Sequence, residues 1–341
     1  MAAATLLIEQ FDGLVLDLDG TVYVGDQAIP HAAEVINDCQ SNYGRKICYA
    51  TNNASRTPEQ VAANLREFGL EVQANDVVTS AQVACALLAQ RLPAGAKVLV
   101  VGGDALAEAL AAEGLSAVWS SEDDPVAVVQ GFNPDIGWQN LAFGAAAVER
   151  GLPWMATNRD LSIPTKWGIA PGNGTLVNAI SAATGKQPDV AGKPEAAIML
   201  QAARLMGSTT PLAVGDRLDT DFAAAHAAGM ESLMVLTGVS GAKDLCSAPV
   251  NQRPHYFGGD MRALLAEPSA AVVDGNSVSC NGWSVEVDRN GTAIDSRGAR
   301  GIDGVTAVAN GAWLSLGMNA RVDQAALTEL SLLIDAVKSE N

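Results

Sequence analysis

Positive charge is scarce in this sequence. Its 341 residues include 21 Lys and Arg against 38 Asp and Glu, which gives a formal net charge of −17 at pH 7. This balance argues against nucleic acid or an anionic membrane surface as a main partner. It also means that a site for an anionic substrate must be made locally positive by a metal ion, a lysine or backbone amides.

Cysteine is also rare, and long apolar runs are missing. The five cysteines are an odd number with no C-x-x-C spacing, which fits neither a disulfide framework nor a zinc site. The pattern favours free thiols, in the apolar core or near the surface, in a reducing compartment. The N-terminal stretch MAAATLLIEQF lacks the basic residues of a signal peptide. No run approaches the ~18 apolar residues of a membrane span. We therefore expect a cytoplasmic protein.

The apolar residues that are present can form a large core. At 48% hydrophobic and 17% charged residues, the composition is that of a folded chain, and the length of 341 residues suggests two or three domains. Up to about residue 262, short apolar runs alternate with helical patterns, beginning with FDGLVL at 11–16 and KICYATNN at 46–53. Such alternation predicts an α/β fold with a Rossmann-like parallel sheet.

The pattern changes after residue 262. The segment NSVSCNGWSVEVDRNGTAIDSRG alternates and contains Asn-Gly turns at 281–282 and 290–291, which predicts antiparallel hairpins. We expect GVTAVANGAWLSLG, at 304–317, to continue in the same style, and VDQAALTELSLLIDAVKSE to form a closing amphipathic helix. Residues 262–341 are thus predicted to be a small separate α+β domain.

Polar residues follow the predicted strands at the points where the strands end. In open α/β sheets, ligands bind at the carboxyl ends of the strands, so these residues are candidates for a site. They comprise carboxylates, a lysine, and amide and hydroxyl groups, which suit a phosphoryl group and a divalent cation. Four stretches supply them: Asp17 and Asp19, Thr51-Asn52-Asn53, Gly192-Lys193, and Gly215-Asp216 with Asp219 and Asp221.

Asp17 and Asp19 suit two different chemical roles. Asp17, at a strand tip, can attack phosphorus and form an aspartyl phosphate, which divides hydrolysis into two steps. Asp19 can protonate the leaving alkoxide and then activate water, while Gly20 lets backbone amides approach the phosphate. A D-x-D pair alone is more often a solvated turn or a cap, so the interpretation depends on the four stretches occurring together.

The remaining candidates would bind a cation and the phosphoryl oxygens. Asp17, Asp216 and the backbone carbonyl of Asp19 would form a hard oxygen site for Mg²⁺. Asp221 is expected to orient a metal-bound water. The residues expected to hold the transferred phosphoryl group and neutralise its charge are Lys193, Thr51, Asn52 and Asn53.

The stretches DLDGT, TNN, GKP and GDRLDTD, in this order, resemble the four motifs of the haloacid dehalogenase (HAD) superfamily. The resemblance implies that Asp17 is the nucleophile, Asp19 the general acid/base and Mg²⁺ the cofactor. Dehalogenases and P-type ATPases of the superfamily lack an acid at the position of Asp19, so the resemblance implies a phosphatase or a mutase. The sequence is most similar to the subfamily of NagD-type, 4-nitrophenyl phosphate, phosphoglycolate and pyridoxal phosphate phosphatases.

The spacing of the motifs predicts where a cap domain is inserted. Only 34 residues separate Asp17 from Thr51, whereas 140 separate Asn53 from Lys193, enough for an additional domain. A cap of that size favours small phosphate esters over protein or nucleic acid substrates. The predicted domains are a HAD phosphatase core at 1–82 and 188–261, an α/β cap at 83–187, and the C-terminal α+β domain at 262–341.

Substrate choice is expected to lie in the cap, where TNRD supplies Asn158, Arg159 and Asp160. Arg159 would meet a second anionic group, or is an ordinary surface arginine. Trp167 is expected in the cap core rather than as a ring platform. VVGGDAL, at 100–106, lacks the full dinucleotide-binding spacing and predicts a strand-to-helix turn.

The C-terminal domain gives a hint of the substrate. It resembles the small acetyltransferase-like module of actinobacterial glycerol 3-phosphate phosphatases, but without a convincing acyl-CoA pyrophosphate loop, so we expect no transferase activity. The leading hypothesis is a Mg²⁺-dependent phosphatase acting on glycerol 3-phosphate, with a role in glycerol or phospholipid turnover. Alternatives are 2-phosphoglycolate, pyridoxal phosphate or nucleotides as the substrate, a mutase, and a binding protein on the same scaffold. The expected partner is a small phosphorylated metabolite, and a homodimer is left open.

Overall fold

A computed structural model of the chain describes residues 5–165, 167–299, 301–319 and 322–339. Its strands follow the alternation in the sequence, with several short hairpins added. The strands are β1 (Gly13–Leu16), β2 (Tyr23–Val24), β3 (Gln27–Ala28), β4 (Lys46–Thr51), β5 (Val77–Thr79), β6 (Lys97–Val101), β7 (Ser116–Val118), β8 (Ala127–Gln130), β9 (Trp154–Ala156), β10 (Ser162–Thr165), β11 (Gly168–Pro171), β12 (Asp189–Val190), β13 (Pro211–Gly215), β14 (Glu231–Val235), β15 (Tyr256–Gly258), β16 (Val272–Asp274), β17 (Ser277–Cys280), β18 (Trp283–Asp288) and β19 (Gly291–Ser296).

Helices alternate with most of these strands, and a π-helical turn at Leu218–Phe222 precedes one of them. Local signals in the sequence mark the start of several helices. At the start of α2, the Thr57 hydroxyl accepts a hydrogen bond from the backbone N–H of Gln60 at 3.3 Å, and Pro58 occupies the first helical position. The α-helices are α1 (Ala32–Ser41), α2 (Pro58–Glu67), α3 (Ser80–Ala89), α4 (Asp104–Ala112), α5 (Trp138–Glu149), α6 (Asn173–Thr184), α7 (Ala197–Met206), α8 (Ala223–Ala227), α9 (Ala242–Ser247), α10 (Ile302–Asn319) and α11 (Gln324–Ser339).

The chain forms two compact units. The first comprises Met1–Tyr49, Leu65–Glu71 and Met206–Asn341, and the second comprises Ala50–Asn64 and Val72–Leu205. These units are defined by contacts within the fold, and the domain boundaries drawn from motif spacing stay a prediction.

A parallel sheet forms the centre of the first unit, with its strands in the order β15-β14-β13-β1-β4. In β1, Leu16 lies opposite Val214 of β13 on one side and Tyr49 of β4 on the other. All four residues of β1 are buried, as expected for an apolar run inside a parallel sheet. The carboxyl ends of β1 and β13 are therefore adjacent, and each is followed directly by an aspartate, Asp17 and Asp216.

The second unit has a parallel sheet of its own, with the strand order β12-β9-β8-β6-β7. Val128 of β8 and Val177 of α6 belong to the apolar cluster that covers one face of this sheet. VVGGDAL forms the turn from β6 into α4, as predicted. The prediction for Trp167 was wrong: this residue lies between β10 and β11 and is 84% exposed, because the chain there forms a two-stranded ribbon rather than part of the buried sheet.

The C-terminal segment folds as a four-stranded antiparallel sheet, β16-β17-β18-β19, with α10 and α11. The turn at 281–282 joins β17 to β18 as predicted. Residues 289–290 join β18 to β19, one position before the predicted turn at 290–291, and α11 confirms the closing helix. This segment shares one hydrophobic core with the sheet and the π turn of the first unit. That core includes Leu218, Phe222, Leu236, Leu245, Phe257, Trp283, Val285 and Trp313.

The prediction of further strands at 304–317 was wrong, because these residues lie within the 18-residue helix α10. This stretch contains valine and threonine, which are common in β-strands, and glycines, which are common in the turns between them. The glycines serve close packing instead, since they stand two helical turns apart on the face toward β18. A Cβ on Gly304 would lie 2.8 Å from ring atoms of Trp283, and one on Gly311 would lie 2.7 Å from Cγ1 of Val285.

The cysteines behave as predicted from their spacing. All five are free and buried, and burial raises the pKa of Cys39, Cys85 and Cys246 to about 12. Such thiols are unreactive packing groups. Among the described residues, every helix is too short or too polar to cross a membrane.

Candidate active site

Three carboxylates meet at the carboxyl ends of β1 and β13. One oxygen from each of Asp17, Asp216 and Asp221 lies within 4.8 Å of the others, and we call this group the carboxylate cluster. Asp216 is fully buried and Asp221 is 3% exposed. Like charges so close together and away from water repel one another, so the cluster favours a divalent cation. Its hard oxygen donors fit Mg²⁺, which prefers such ligands.

The loop after β14 and the turn after β1 together orient Asp216. The Val239 N–H donates to Oδ2 of Asp216 at 2.6 Å, and the Thr21 hydroxyl donates to Oδ1 at 3.5 Å. Gly238 lies so close to this carboxylate that a Cβ would overlap it. Gly20, at φ +91°, also packs directly against this carboxylate, since a Cβ on Gly20 would lie 2.6 Å from Oδ2 of Asp216. Both positions therefore require glycine.

The π turn places Asp221 beside the strand end. Its Oδ2 accepts hydrogen bonds from the backbone N–H groups of Asp216 at 3.3 Å and Arg217 at 3.0 Å. A Cβ on Gly215 would lie 2.6 Å from the Asp221 carboxylate, so the last residue of β13 must be small. A π turn inside a helical segment is a frequent mark of a functional site. Here it folds the acidic segment back onto the strand that carries Asp216.

Asp19 lies in the tight turn after β1, where the Gly20 N–H donates to the Tyr23 carbonyl at 2.7 Å. Partial loss of hydration raises the pKa of Asp19, although the residue as a whole is exposed, and the positive charge of Arg217 offsets part of this effect. A raised pKa moves the carboxyl group toward the protonated form that a general acid needs. Arg217 is itself paired with the exposed Asp219 at 2.8 Å. Among the described residues, the carboxylate cluster does not include the side chain of Asp19.

In the second unit, Asn52 is the centre of a hydrogen-bond network. Its Oδ1 accepts from the Lys193 N–H at 2.8 Å, and its Nδ2 donates to the Lys193 carbonyl at 3.1 Å and to the Asp160 carboxylate at 3.3 Å. The side chains of Asn158 and Ser80 both donate to the Asn52 carbonyl at 2.7 Å. The network thus brings together the sequence stretches TNN, TNRD and GKP.

Three further candidates lie close to Asn52 in the same unit. Lys193 is 2% exposed. The preceding Gly192 leaves room for Asn52, since a Cβ there would lie 2.5 Å from its Oδ1. Thr51 is buried, and its hydroxyl accepts from the Asn53 N–H at 3.1 Å.

Arg159 does not join this network. Its guanidinium group is exposed and donates to Gln187 at 2.9 Å and to Asn178 at 3.5 Å. The neighbouring residues Asn158 and Asp160, by contrast, both contact Asn52. The TNRD stretch therefore sends two side chains toward the network and one away from it.

Sequence reasoning missed the loop at residues 237–240. Its Thr237 hydroxyl donates to the Gly20 carbonyl at 2.7 Å, and its Val239 N–H binds Asp216. The loop follows β14 at the carboxyl end of the sheet, so the rule that identified the other strand ends also applies here. It was overlooked because LTGVSG contains no acidic or basic residue to draw attention to it.

Comparison with known proteins gives the family of this chain. A haloacid dehalogenase-like hydrolase model matches residues 14–116, and a HAD-hydrolase-like model matches residues 190–264. The acid sugar phosphatase of Staphylococcus aureus (strain USA300) is 35% identical over 262 residues, which cover 76% of this chain and 99% of that protein. The chain belongs to the haloacid dehalogenase-like hydrolase family and is an enzyme of its phosphatase class.

Other relatives extend over more of the chain. D-glycerol 3-phosphate phosphatase of Mycobacterium tuberculosis is 44% identical over 311 residues, covering 90% of this chain and 87% of that protein. The crystal structure of a glycerol phosphate phosphatase from M. tuberculosis in complex with magnesium has a TM-score of 0.86 at 39% identity, covering 96% of this chain and 99% of its own. A p-nitrophenyl phosphatase from Archaeoglobus fulgidus has a TM-score of 0.68 at 31% identity, covering 75% and 98%. The predicted family and fold class are confirmed, and the predicted cofactor agrees with the magnesium complex.

Proposed function

We propose that this chain is a Mg²⁺-dependent phosphatase that hydrolyses glycerol 3-phosphate to glycerol and phosphate through an aspartyl phosphate on Asp17. The carboxylate cluster, in which Asp216 and Asp221 are buried and Asp17 lies at the tip of β1, is the observation that carries the chemistry. The substrate rests on the similarity to the M. tuberculosis D-glycerol 3-phosphate phosphatase, which extends over 90% of this chain.

Asp17 and Asp19 divide the reaction into two steps. In the first, an oxygen of Asp17 forms a bond to phosphorus while the bond from phosphorus to the glycerol oxygen breaks, and Asp19 gives its proton to the departing alkoxide. In the second, Asp19 takes a proton from water as the water oxygen attacks phosphorus. The bond between phosphorus and Asp17 then breaks, which restores the carboxylate and releases phosphate. The raised pKa of Asp19 supports its part as the acid of the first step.

The metal site would be formed by Asp17, Asp216 and the carbonyl of Asp19, with Asp221 orienting a bound water. Bound Mg²⁺ supplies positive charge that reduces the repulsion between an anionic substrate and the carboxylates. Such a charge is needed in a protein with a net charge of −17. The residues proposed to bind the phosphoryl group are Thr51, Asn52, Asn53, Gly20 and Lys193.

The remaining parts of the proposal concern substrate choice and setting. We assign substrate choice to Asn158, Arg159 and Asp160, in a cap at residues 83–187. The net charge of −17 supports a small metabolite as partner rather than nucleic acid or membrane. The five free, buried thiols support a reducing compartment, the cytoplasm.

The experiment that tests this function measures Mg²⁺-dependent phosphate release from glycerol 3-phosphate, 2-phosphoglycolate, pyridoxal 5′-phosphate and a nucleoside monophosphate, with the Asp17→Asn variant as the blank. We expect the highest kcat/KM for glycerol 3-phosphate. A higher value for 2-phosphoglycolate would retain the chemistry and overturn the substrate. Transfer of the phosphoryl group without free phosphate would identify a mutase instead. Release that does not depend on Mg²⁺ or on Asp17 would overturn the mechanism.

A further inference from the structure

The C-terminal segment contacts the helix that follows the 237–240 loop, and we propose that Trp313 is a positioning residue of the metal site. This inference rests on the proposed function, because it concerns the Mg²⁺ site assigned there. Trp313 belongs to α10 and is 7% exposed. It acts on the carboxylate cluster through α9 and the loop at 237–240.

The indole of Trp313 is held on several sides. Its Nε1 donates to the carbonyl of Leu245, in the last turn of α9, at 2.7 Å. The ring stacks on Phe257 with centroids 6.0 Å apart, and the guanidinium of Arg253 lies 5.2 Å from the ring centroid. Arg253 also donates to the Ala248 carbonyl, directly after α9, at 3.0 Å. The C-terminal end of α9 is therefore fixed to α10 and its surroundings.

The N-terminal end of α9 is joined to the metal site. Gly241 is the one residue between the loop at 237–240 and α9, so we expect a shift of the helix to displace the loop. Four hydrogen bonds connect this loop to the site. Thr237 Oγ1 donates to the Gly20 carbonyl at 2.7 Å, and the Val239 N–H donates to Asp216 Oδ2 at 2.6 Å. The Ser240 N–H donates to the Asp216 carbonyl at 3.3 Å, and Ser240 Oγ accepts from the Leu218 N–H at 3.0 Å.

The same hydrophobic core holds both ends of this connection. Leu236, just before the loop, and Leu245, in α9, pack in one cluster with Trp313. Mg²⁺ demands nearly ideal octahedral geometry at ~2.0–2.1 Å, so a small displacement of the Asp216 carboxylate is expected to weaken binding. Outer contacts that orient ligands typically change metal affinity when removed. The C-terminal segment supplies none of the residues proposed to react with or bind the substrate, and its role in catalysis is to position Asp216.

The test measures binding of Mg²⁺ alone to the full chain by isothermal titration calorimetry, in the absence of substrate. Trp313→Phe keeps an aromatic ring and removes the indole N–H. Trp283→Phe is the matched control, since Trp283 lies in the same core but donates to the Ala299 carbonyl at 2.8 Å, away from α9. We expect the dissociation constant to rise roughly fivefold in Trp313→Phe, as for the loss of one hydrogen bond, with no change in Trp283→Phe.

A second readout separates positioning from general weakening of the fold. Both variants are expected to lower the melting temperature, but only Trp313→Phe should require more Mg²⁺ for half-maximal activity, with an unchanged KM for substrate at saturating Mg²⁺. Unchanged Mg²⁺ affinity in Trp313→Phe, or an equal loss in both variants, overturns this proposal and leaves the proposed function in place. Failure of wild-type protein to bind Mg²⁺ would instead overturn the proposed function.

A third variant decides the question if Trp313→Phe does not fold. Ser240→Ala removes the hydroxyl that accepts from the Leu218 N–H, and therefore loosens the same loop without touching the hydrophobic core. Weaker Mg²⁺ binding in Ser240→Ala supports the proposal, because it shows that the loop through which Trp313 acts affects the metal site. Wild-type binding overturns it, because a loop that does not affect Mg²⁺ affinity cannot transmit a displacement from Trp313.

Discussion

The two ends of the central strands carry aspartates in opposite surroundings. Just before β1, the Asp12 carboxylate accepts from the backbone N–H groups of Thr209 and Thr210 at 2.8 and 3.0 Å, and from the hydroxyl groups of Ser208 and Thr209. At the opposite ends of β1 and β13, the carboxylate cluster brings three acids together. An aspartate surrounded by protein donors stabilises the fold, whereas aspartates crowded against one another form a site for a cation. Residue type alone does not distinguish the two.

The largest expected effect is that of replacing the proposed nucleophile. Asp17→Asn retains the shape of the side chain but removes the attacking carboxylate, so we expect kcat to fall ~10⁴-fold or more, as for other nucleophile replacements. Asp219→Asn is the matched control, because Asp219 is exposed and pairs with Arg217 outside the cluster. It should leave kcat within about twofold of wild type. Steady-state phosphate release measures both, and similar losses in the two variants would contradict the assignment.

Asp216→Asn tests the electrostatic difference between the two strand ends. We expect the Mg²⁺ concentration for half-maximal activity to rise about 10- to 100-fold, because a ligand charge is lost. Thermal melting of the metal-free protein should show a higher melting temperature, since one of three mutually repelling charges is gone. Asp12→Asn, the same change at the other end, should lower the melting temperature and leave the Mg²⁺ requirement unchanged. A lower metal-free melting temperature in Asp216→Asn than in wild type would contradict the idea that the three carboxylates repel one another.

Asn52→Ala extends the comparison to the second unit, where a network centred on the Asn52 amide includes a single carboxylate, that of Asp160. The change removes the bonds from the Asn52 side chain to the backbone of Lys193, so we expect a loss of about 1–3 kcal/mol in the free energy of unfolding. Misplacement of Lys193 should lower kcat/KM about 10- to 100-fold. Calorimetric Mg²⁺ affinity should not change, because the cluster lies in the first unit. Asn178→Ala, at an exposed amide of the second unit, is the control for both measurements.

The smallest effect concerns pH and Asp12. Burial raises the pKa of this carboxyl group, but hydrogen bonds from Ser208, Thr209 and Thr210 outweigh burial and hold the pKa below its ordinary value. An aspartate whose pKa is lower in the folded than in the unfolded state stabilises the fold. This contribution is fully present above the pKa of the unfolded state, ~3.9, and is lost as the pH falls through the pKa of the folded state. The melting temperatures of wild type and Asp12→Asn should therefore differ by a constant amount from pH 7 to about 5 and converge below about 4. A gap that widens in acid would show that the sign is wrong.

Much of the site could be predicted because the signals are local. Asp17 and Asp216 follow apolar runs that read as buried strands, and the rule for strand ends brings them to one edge of a sheet. The helix start at Thr57 and the hairpins of the C-terminal segment follow from short-range signals in the same way. These signals act over only a few residues, so the sequence shows them directly.

The rest depends on contacts between distant residues. The glycines of α10 resemble strand residues until the Trp283 side chain that they accommodate is known. The partners of Asn52 lie 28 to 141 positions away, and nothing near Asn52 identifies them. The backbone N–H of Val239 contributes to the metal site without any side-chain signal at all. Backbone donors and close packing are therefore what sequence reasoning missed here.

The C-terminal segment and the catalytic sheet share one hydrophobic core, and this core determines how the first unit unfolds. Trp283 and Trp313 pack in the same cluster as Phe222 and Phe257, so neither part can lose its partner without exposing large apolar surfaces. We therefore expect the two parts to denature together, as one cooperative species, rather than as separable modules. A fragment that ended near residue 262 would present this apolar face to water and aggregate, so the appendage is a structural component of the enzyme.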